Sequence, residues 1–194
     1  MKLSIIIVSY NVKDYLKQCI RSIYNSDIDN NSFEIIVIDN DSHDGTIQDI
    51  KSDFPDVITR ENKLNIGFSK AINSGLKLVR GDYVCILNPD IIASENTFST
   101  LLEYISTNQN IGCIGPKILN SNGRFQPSCK RSFPTPINAF FRFLGLDRIF
   151  PKSRMFGSYN LTYLNDNKIH SIDAISGAFM LFPSNGIHKV GLFD

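Results

Sequence analysis

Three short polar runs end apolar stretches in the first half of the sequence: Ser9-Tyr10-Asn11, Asp39-Asn40-Asp41 and Asn88-Pro89-Asp90. Pro89 has no N–H and a fixed φ, so the chain turns there and leaves the carboxylate of Asp90 at the rim of whatever precedes it. A hard divalent cation, Mn2+ or Mg2+, commonly takes one or two protein carboxylates together with phosphate oxygens. Asp90 is therefore read as a metal ligand, with the metal in turn holding a diphosphate. Asp39 could accept a hydrogen bond from a base N–H or a ribose hydroxyl, and Tyr10 could stack on a base. Gly67 lets backbone approach a ligand closely, and Lys70 could face a phosphate. Each residue also has a plainer reading. Asn, Asp, Ser and Pro are ordinary turn and cap residues, Tyr10 could simply pack, and Lys70 could sit on a solvated helix face. Three such runs on one edge are what favours a site.

The elements that would place them follow from apolar spacing. Residues 3–8, LSIIIV, and 33–38, FEIIVI, are β-branched runs of the kind found in strands buried on both faces. Tyr83 to Leu87 is a third such run, and 57–59 a short one. Between them Val12, Tyr15, Leu16, Cys19, Ile20 and Ile23 fall at helical spacing, with Asn11 as the expected cap. Further helices are expected through Ile47, Ile50 and Phe54, through Phe68 to Val79 with Arg80-Gly81 as the stop, and through Phe98 to Ile105 with Ser94 as the cap. Alternating strands and helices argue for a parallel sheet with helices on both faces, whose ligands bind outside the carboxyl ends of the strands. After residues 111–114 the rhythm breaks. Residues 116–170 read as loops, a hairpin near Phe125 and a short aromatic helix over 137–146, and residues 178–182 as one more strand.

Composition and missing motifs exclude several classes. With 194 residues, 42% of them apolar, the chain suits one globular domain, with or without an appendage. A net charge of +1 gives no overall pull on nucleic acid. No GxGxxG follows the first apolar run and no GxxxxGK[ST] occurs, which argues against an NAD-type enzyme and a P-loop NTPase; GxSxG is absent too. His43, His170 and His188 are scattered and read as surface residues. Cys19, Cys85 and Cys113 fall in apolar patterns and read as small buried hydrophobes, and no CxxC suggests a disulfide or metal framework. The start, MKLSIIIVSYN, lacks the features of a signal peptide, and no run approaches a membrane span. The expected location is cytoplasmic.

In order, SIIIVSYN, IIVIDNDSHDGT, ENKLNIGFSKAINSGLKLVRGDYVCILNPD, IGCIGPKILNSNGRFQPSCKRSFPT and ISGAFMLFPSNGIHKVGLFD resemble the family 2 glycosyltransferases of GT-A fold. The rhamnosyltransferase-like branch, which builds bacterial surface polysaccharides, is the best match. The resemblance implies a Rossmann-like mixed α/β sheet flanked by helices, with a nucleotide-sugar-binding half over 1–115 and an acceptor-side region over 116–194 in one GT-A domain. It implies transfer of a sugar from a nucleotide-diphosphate donor to an acceptor hydroxyl, with inversion and with Mn2+ or Mg2+ as cofactor. The acceptor would be a saccharide or lipid-linked saccharide. Ser9, Tyr10 and Asn11 match the start of the nucleotide pocket, Asp39 the residue on the base, and Asp41 its neighbour. Asn65, Gly67 and Lys70 match the segment against the nucleotide. Asn88-Pro89-Asp90 stands where the family has DxD, with Asn88 in place of the first Asp and Asp90 at the metal position. Ser176, Gly177 and Ala178 match the wall on the acceptor side.

The family's catalytic base follows a GLFD-like stretch, so its position lies beyond Asp194, and impaired transfer is expected of this chain. Two other classes remain in view: a non-catalytic nucleotide-sugar-binding module, and a sugar-phosphate nucleotidyltransferase. The latter would need a glycine-rich basic loop after the first strand, and SYNVKDY offers none. The basic, aromatic stretch 131–154 reads either as a lid helix or as a peripheral contact with an anionic membrane.

Overall fold

A computed structural model describes residues 2–194 apart from the side chain of His188, so the surface position expected of that side chain lies outside the described residues. By compactness the chain divides into two units, Met1–Ile114 with Gly177–Asp194, and Gly115–Ser176.

The first unit is built on a five-stranded sheet. It contains β1 (Leu3–Ser9), α1 (Lys13–Tyr24), β2 (Phe33–Asp39), α2 (Thr46–Asp53), β3 (Ile58–Glu61), α3 (Phe68–Leu76), β4 (Tyr83–Leu87) and α4 (Thr97–Thr107). Strand order is β3-β2-β1-β4-β7, where β7 is Phe179–Pro183. The first four strands run parallel, and β7 joins β4 antiparallel with Leu87 opposite Phe179. All seven residues of β1 and of β2 are buried, the apolar ones as expected of strands covered on both faces, together with Ser4, Ser9, Glu34 and Asp39. Ile6, Val8, Ile36, Ile38, Val84 and Ile86 pack with Ala71 and Ile72 of α3 on one face. Alternation sends Ile5, Ile7, Ile35, Val37 and Cys85 to the other, where Cys19 of α1 lies near Cys85. Each of these fully covered aliphatic side chains stabilises the unit by about 1.5–3 kcal/mol relative to exposure.

At the amino edge of the sheet, Glu34 is buried and fully engaged. Its carboxylate accepts hydrogen bonds from Ser4 Oγ (2.6 Å), Arg80 N (2.8 Å) and Arg80 Nε (2.9 Å). The Ser4 hydroxyl accepts from Gly81 N (2.9 Å). A Cβ on Gly81 would sit 2.7 Å from Ser4 N, so only glycine lets this turn lie against β1.

The second unit contains β5 (Lys130–Arg131), α5 (Pro136–Phe143), α6 (Leu146–Ile149) and β6 (Ala174–Ile175), with β5 antiparallel to β6. The expected hairpin is present: Leu119 bridges Phe125, closed by Asn120 N to Arg124 O at 2.8 Å. The aromatic helix is present as α5, started by Thr135, whose hydroxyl accepts from Asn138 N, and by Pro136 in the first turn. Helix α7 (Gly186–Val190) closes the chain's last stretch, back in the first unit.

Several boundaries differ from the sequence reading. Asn11 does not cap α1: it lies at φ 53°, and α1 starts after Val12. Ser94 does not cap α4, which starts after Asn96. Helix α3 ends at Leu76, so Arg80 and Gly81 belong to the turn that grips Glu34 rather than to a helix end. Cys113 is exposed and outside any strand; its neighbour Ile114 makes the pairing, an isolated bridge to Leu181. His170 is half-buried, its Nε2 2.8 Å from Asn165 O.

Candidate functional site

From β1 the chain steps one way to β2 and β3, then crosses back so that β4 flanks β1 on the other side. The order of strands therefore reverses between β1 and β4, and the crevice outside such a reversal is where open α/β sheets bind ligands. The carboxyl ends of β1, β2 and β4 share this edge because the three strands are parallel. Ser9-Tyr10-Asn11, Asp39-Asn40-Asp41 and Asn88-Pro89-Asp90 thus converge on one rim.

The loops after β1 and β2 are stitched together. Asn11 N donates to Ser42 Oγ (2.9 Å), the Ser42 hydroxyl donates to Asp39 Oδ1 (2.6 Å), and Ser42 N donates to Asp39 Oδ2 (2.8 Å). The Asn11 side chain returns the link by accepting from His43 N (2.8 Å). Asn tolerates the left-handed backbone this requires. Asp39 is only 2% exposed, so its carboxylate is committed to Ser42 rather than presented to solvent. Asp41 is half-buried, with His43 Nε2 3.7 Å from its Oδ2. The Ser9 hydroxyl is buried and has no partner among the described residues, while Tyr10 is 49% exposed at the rim.

A second chain of amides supports the start of α3. Asn62 Nδ2 donates to Asn40 Oδ1 (2.8 Å), and Asn40 Nδ2 donates to Gly67 O (3.3 Å). Asn65 Oδ1 accepts from Gly67 N (3.0 Å). Gly67 sits at φ 82° and ψ 168°, a region essentially reserved for glycine. Lys70 lies in the first turn of α3, exposed, and forms no ion pair among the described residues.

On β4 the Asn88 amide donates to Ala178 O (2.9 Å), which places Ala178 and the adjoining Gly177 beside the Asn-Pro-Asp turn. Ser176 falls in the second unit, where its amide donates to Cys129 O (3.3 Å). The Cys19 thiol donates weakly to Asn88 O (3.7 Å). Burial, and then the charge of Asp90, push that thiol up to about 12, so it is an inert packing group. Asp90 itself is exposed and takes part in no hydrogen bond or ion pair among the described residues. Among those residues no three or more His, Cys, Asp or Glu are grouped to hold a metal. One free carboxylate fits an ion that draws its other ligands from phosphate and water, as Mg2+ commonly does.

Sequence reasoning missed Ser42, Asp44 and Asn62, and gave Asn40 no role beyond its place in the Asp39-Asn40-Asp41 run; these residues hold the predicted ones. Asp44 joins two helix starts: Oδ2 accepts from Lys13 N of α1 (3.1 Å), and Oδ1 from the amide (3.1 Å) and hydroxyl of Thr46 of α2. Burial alone would raise its pKa, but these hydrogen bonds prevail and lower it. The signal was present in DSHDGT as an Asp two residues before a Thr, a cap pattern.

The profile described as Glycosyl transferase family 2 matches residues 4–167. The chain belongs to glycosyl transferase family 2. Among its relatives, the minor teichoic acid biosynthesis protein GgaB of Bacillus subtilis is 34% identical over 125 residues, covering 62% of this chain and 14% of GgaB. The N-acetylglucosaminyl-diphospho-decaprenol L-rhamnosyltransferase of Mycobacterium tuberculosis is 24% identical over 203 residues, covering 99% of this chain and 64% of that protein. This glycosyltransferase chain thus spans less than two thirds of either relative. The mannosyltransferase PcManGT of Pyrobaculum calidifontis, solved with GDP-Man and Mn2+, superposes with a TM-score of 0.65 at 16% identity, covering 100% of this chain and 47% of PcManGT. The fold is GT-A, as the resemblance implied.

Proposed function

We propose that the chain transfers a sugar from a nucleotide-diphosphate donor to an acceptor hydroxyl, with inversion, in the assembly of a cell-surface polysaccharide. What carries this reading is the convergence of three polar strand ends at the reversal point of a family 2 sheet. Tyr10 offers an exposed ring for the base. The Ser9–Asn11 and Asp39–Asp41 loops, locked by Ser42, form the nucleotide wall, with Asp39 shaping that wall through its bonds to Ser42. Asn65, Gly67 and Lys70 face the nucleotide from the start of α3, and Asn88 lies beside the diphosphate.

The rim is acidic: Asp39, Asp41 and Asp90 would repel a diphosphate, and Lys70 alone does not offset them. A divalent ion held by Asp90, Mn2+ or Mg2+, would neutralise the diphosphate as a leaving group. PcManGT, which shares the fold, binds GDP-Man with Mn2+, and this supports the reading. Gly177 and Ala178, with Ser176, would line the side that receives a saccharide or lipid-linked saccharide. The role of general base is assigned to no residue of this chain. The reaction would take place on the cytoplasmic side of a membrane; no helix among the described residues is long and apolar enough to cross one.

Calorimetric titration with a panel of nucleoside-diphosphate sugars, with and without Mn2+, tests the proposal. One donor should bind, and more tightly with the metal. If none binds in either condition, the donor site is not where we place it.

A further inference from the structure

The second unit holds a concavity that the transfer reaction does not use. It has a volume of about 250 Å³ and is lined by Arg131, Pro134, Ala139, Arg142 and Tyr159. That is below the roughly 300–1,000 Å³ of sites that enclose a drug-sized ligand, so its occupant is small or is one end of something larger. Arg131 and Arg142 both line it, and neither forms an ion pair among the described residues. Asp173, the acid bonded to this neighbourhood, is taken by the Phe133 amide (3.3 Å).

The two arginines are also held in place. Arg131 Nε donates to Ser128 O (3.1 Å), which leaves the two terminal nitrogens of its fork free of that contact. The Arg142 guanidinium lies 5.0 Å from the centroid of Tyr159, within cation–π range. The walls are joined as well: Ser132 N donates to Tyr159 O (2.9 Å), Asn138 Nδ2 to Ser132 Oγ (3.4 Å) and Ser158 Oγ to Asn138 Oδ1 (2.8 Å). Phe141 of α5 meets Phe156 edge-on at 5.0 Å.

Charge across the chain is distributed to match. Gly115–Ser176 carries nine Lys and Arg against three Asp and Glu, while the rest of the chain carries eleven against sixteen. A chain with almost no net charge therefore has one strongly basic unit, and within it two guanidiniums that line one concavity without an ion pair among the described residues.

We propose that this concavity is a binding site for a phosphate-type anion, gripped in bidentate fashion by Arg131 and Arg142. Planar guanidinium forks match phosphate oxygens in number and spacing, and two forks suit a diphosphate or a phosphate ester. The phosphate could belong to a soluble molecule or to a lipid. The lipid source has a feature of its own: α5, which carries Ala139 and Arg142, also exposes Ile137, Phe140 and Phe143, Phe143 to 87%. If the transferase reading holds, the phosphate is one carried by the acceptor. That assignment rests on the reading, whereas the anion site does not.

The test follows the arginine Nε–H signals by NMR during titration with inorganic pyrophosphate, with a chelator present so that the proposed metal site stays silent. Parallel titrations use vesicles of phosphatidylcholine with and without phosphatidylglycerol. Signals of Arg131 and Arg142 should move, and Arg142→Gln or Arg131→Gln should each weaken binding by about tenfold or more. Arg148→Gln, an exposed arginine outside the concavity, should leave affinity unchanged, and donor nucleotide binding should survive all three. Movement with pyrophosphate identifies a soluble anion; movement only with the phosphatidylglycerol vesicles, lost in Arg142→Gln, identifies a headgroup. No movement with either overturns the proposal. So does an equal loss in Arg148→Gln, which would mean diffuse attraction to a basic surface. Should Arg131→Gln fail to melt like the parent, Arg142→Lys keeps the charge, removes the fork and decides the matter.

Discussion

Strand β2 carries a buried carboxylate near each end, and the two are held in different ways. Glu34, at the amino edge, meets a guanidinium, a backbone amide and a hydroxyl, all supplied by the turn after α3 and by β1. Asp39, at the carboxyl edge, meets only the amide and hydroxyl of Ser42, and no cation within the described residues. The first is a finished structural bond. The second fixes a loop while leaving its charge without a counter-charge, at the same sheet edge as Asp41 and Asp90. An edge that spends its hydrogen bonds on shape and leaves its charge open is suited to a ligand that brings the cation with it.

The comparison is broken or sharpened first at Glu34. Glu34→Ala should cost about 2 kcal/mol, because it leaves the buried Ser4 hydroxyl without its acceptor and the Arg80 amide with only its longer contact to Ser4 Oγ (3.2 Å). Most of that cost comes from the buried donors, since the Arg80 side chain is 65% exposed and its ion pair is screened. Urea denaturation measures it, and donor affinity of the folded variant should stay within about twofold of the parent. A loss below about 1 kcal/mol would mean that the amino edge is no better closed than the other.

Asp39→Asn keeps size and one acceptor, so its effect should fall on binding: about a tenfold loss of nucleotide affinity, about 1.4 kcal/mol, with a smaller change in stability. The opposite pattern, a large loss of stability with affinity intact, would make Asp39 a second Glu34.

The smallest effect concerns Asp44. Its pKa is lowered in the folded chain, so its contribution is present above the unfolded carboxylate value of about 3.9 and is lost as pH falls through the lower folded value. Asp44→Ala should cost about 1 kcal/mol at neutral pH, as a lost cap does. The difference in stability between parent and variant should shrink below pH 3.9. A difference independent of pH would mean that the carboxylate's charge is not what joins α1 and α2.

The strands were legible because β-branched runs admit little else, and their polar ends were legible because Asp and Asn break such runs abruptly. The locks were not. Ser42 acts on Asn11 from 31 residues away, and Asn62 on Asn40 from 22, distances over which no periodicity speaks. Asn11 looked like a cap because Asn before an apolar helix commonly is one; the contact with Ser42 and His43 instead holds it at a positive φ. Arg80 and Gly81 looked like a helix stop, and their work for Glu34 requires the fold to bring β1 and β2 beneath them. In the second unit the aromatic helix was readable from its spacing. The arginine pair was not, since Arg131 and Arg142 lie on different elements, β5 and α5, and line one concavity only in the folded unit.

The open-charge account meets its most direct test at Asp90. The affinity of a nucleoside diphosphate should be measured by calorimetry with and without Mn2+, for the parent and for Asp90→Asn. Mn2+ should tighten binding by about tenfold or more in the parent, leave Asp90→Asn at its metal-free affinity, and leave the melting temperature of the apo variant unchanged. An equal gain from Mn2+ in both proteins would contradict the account.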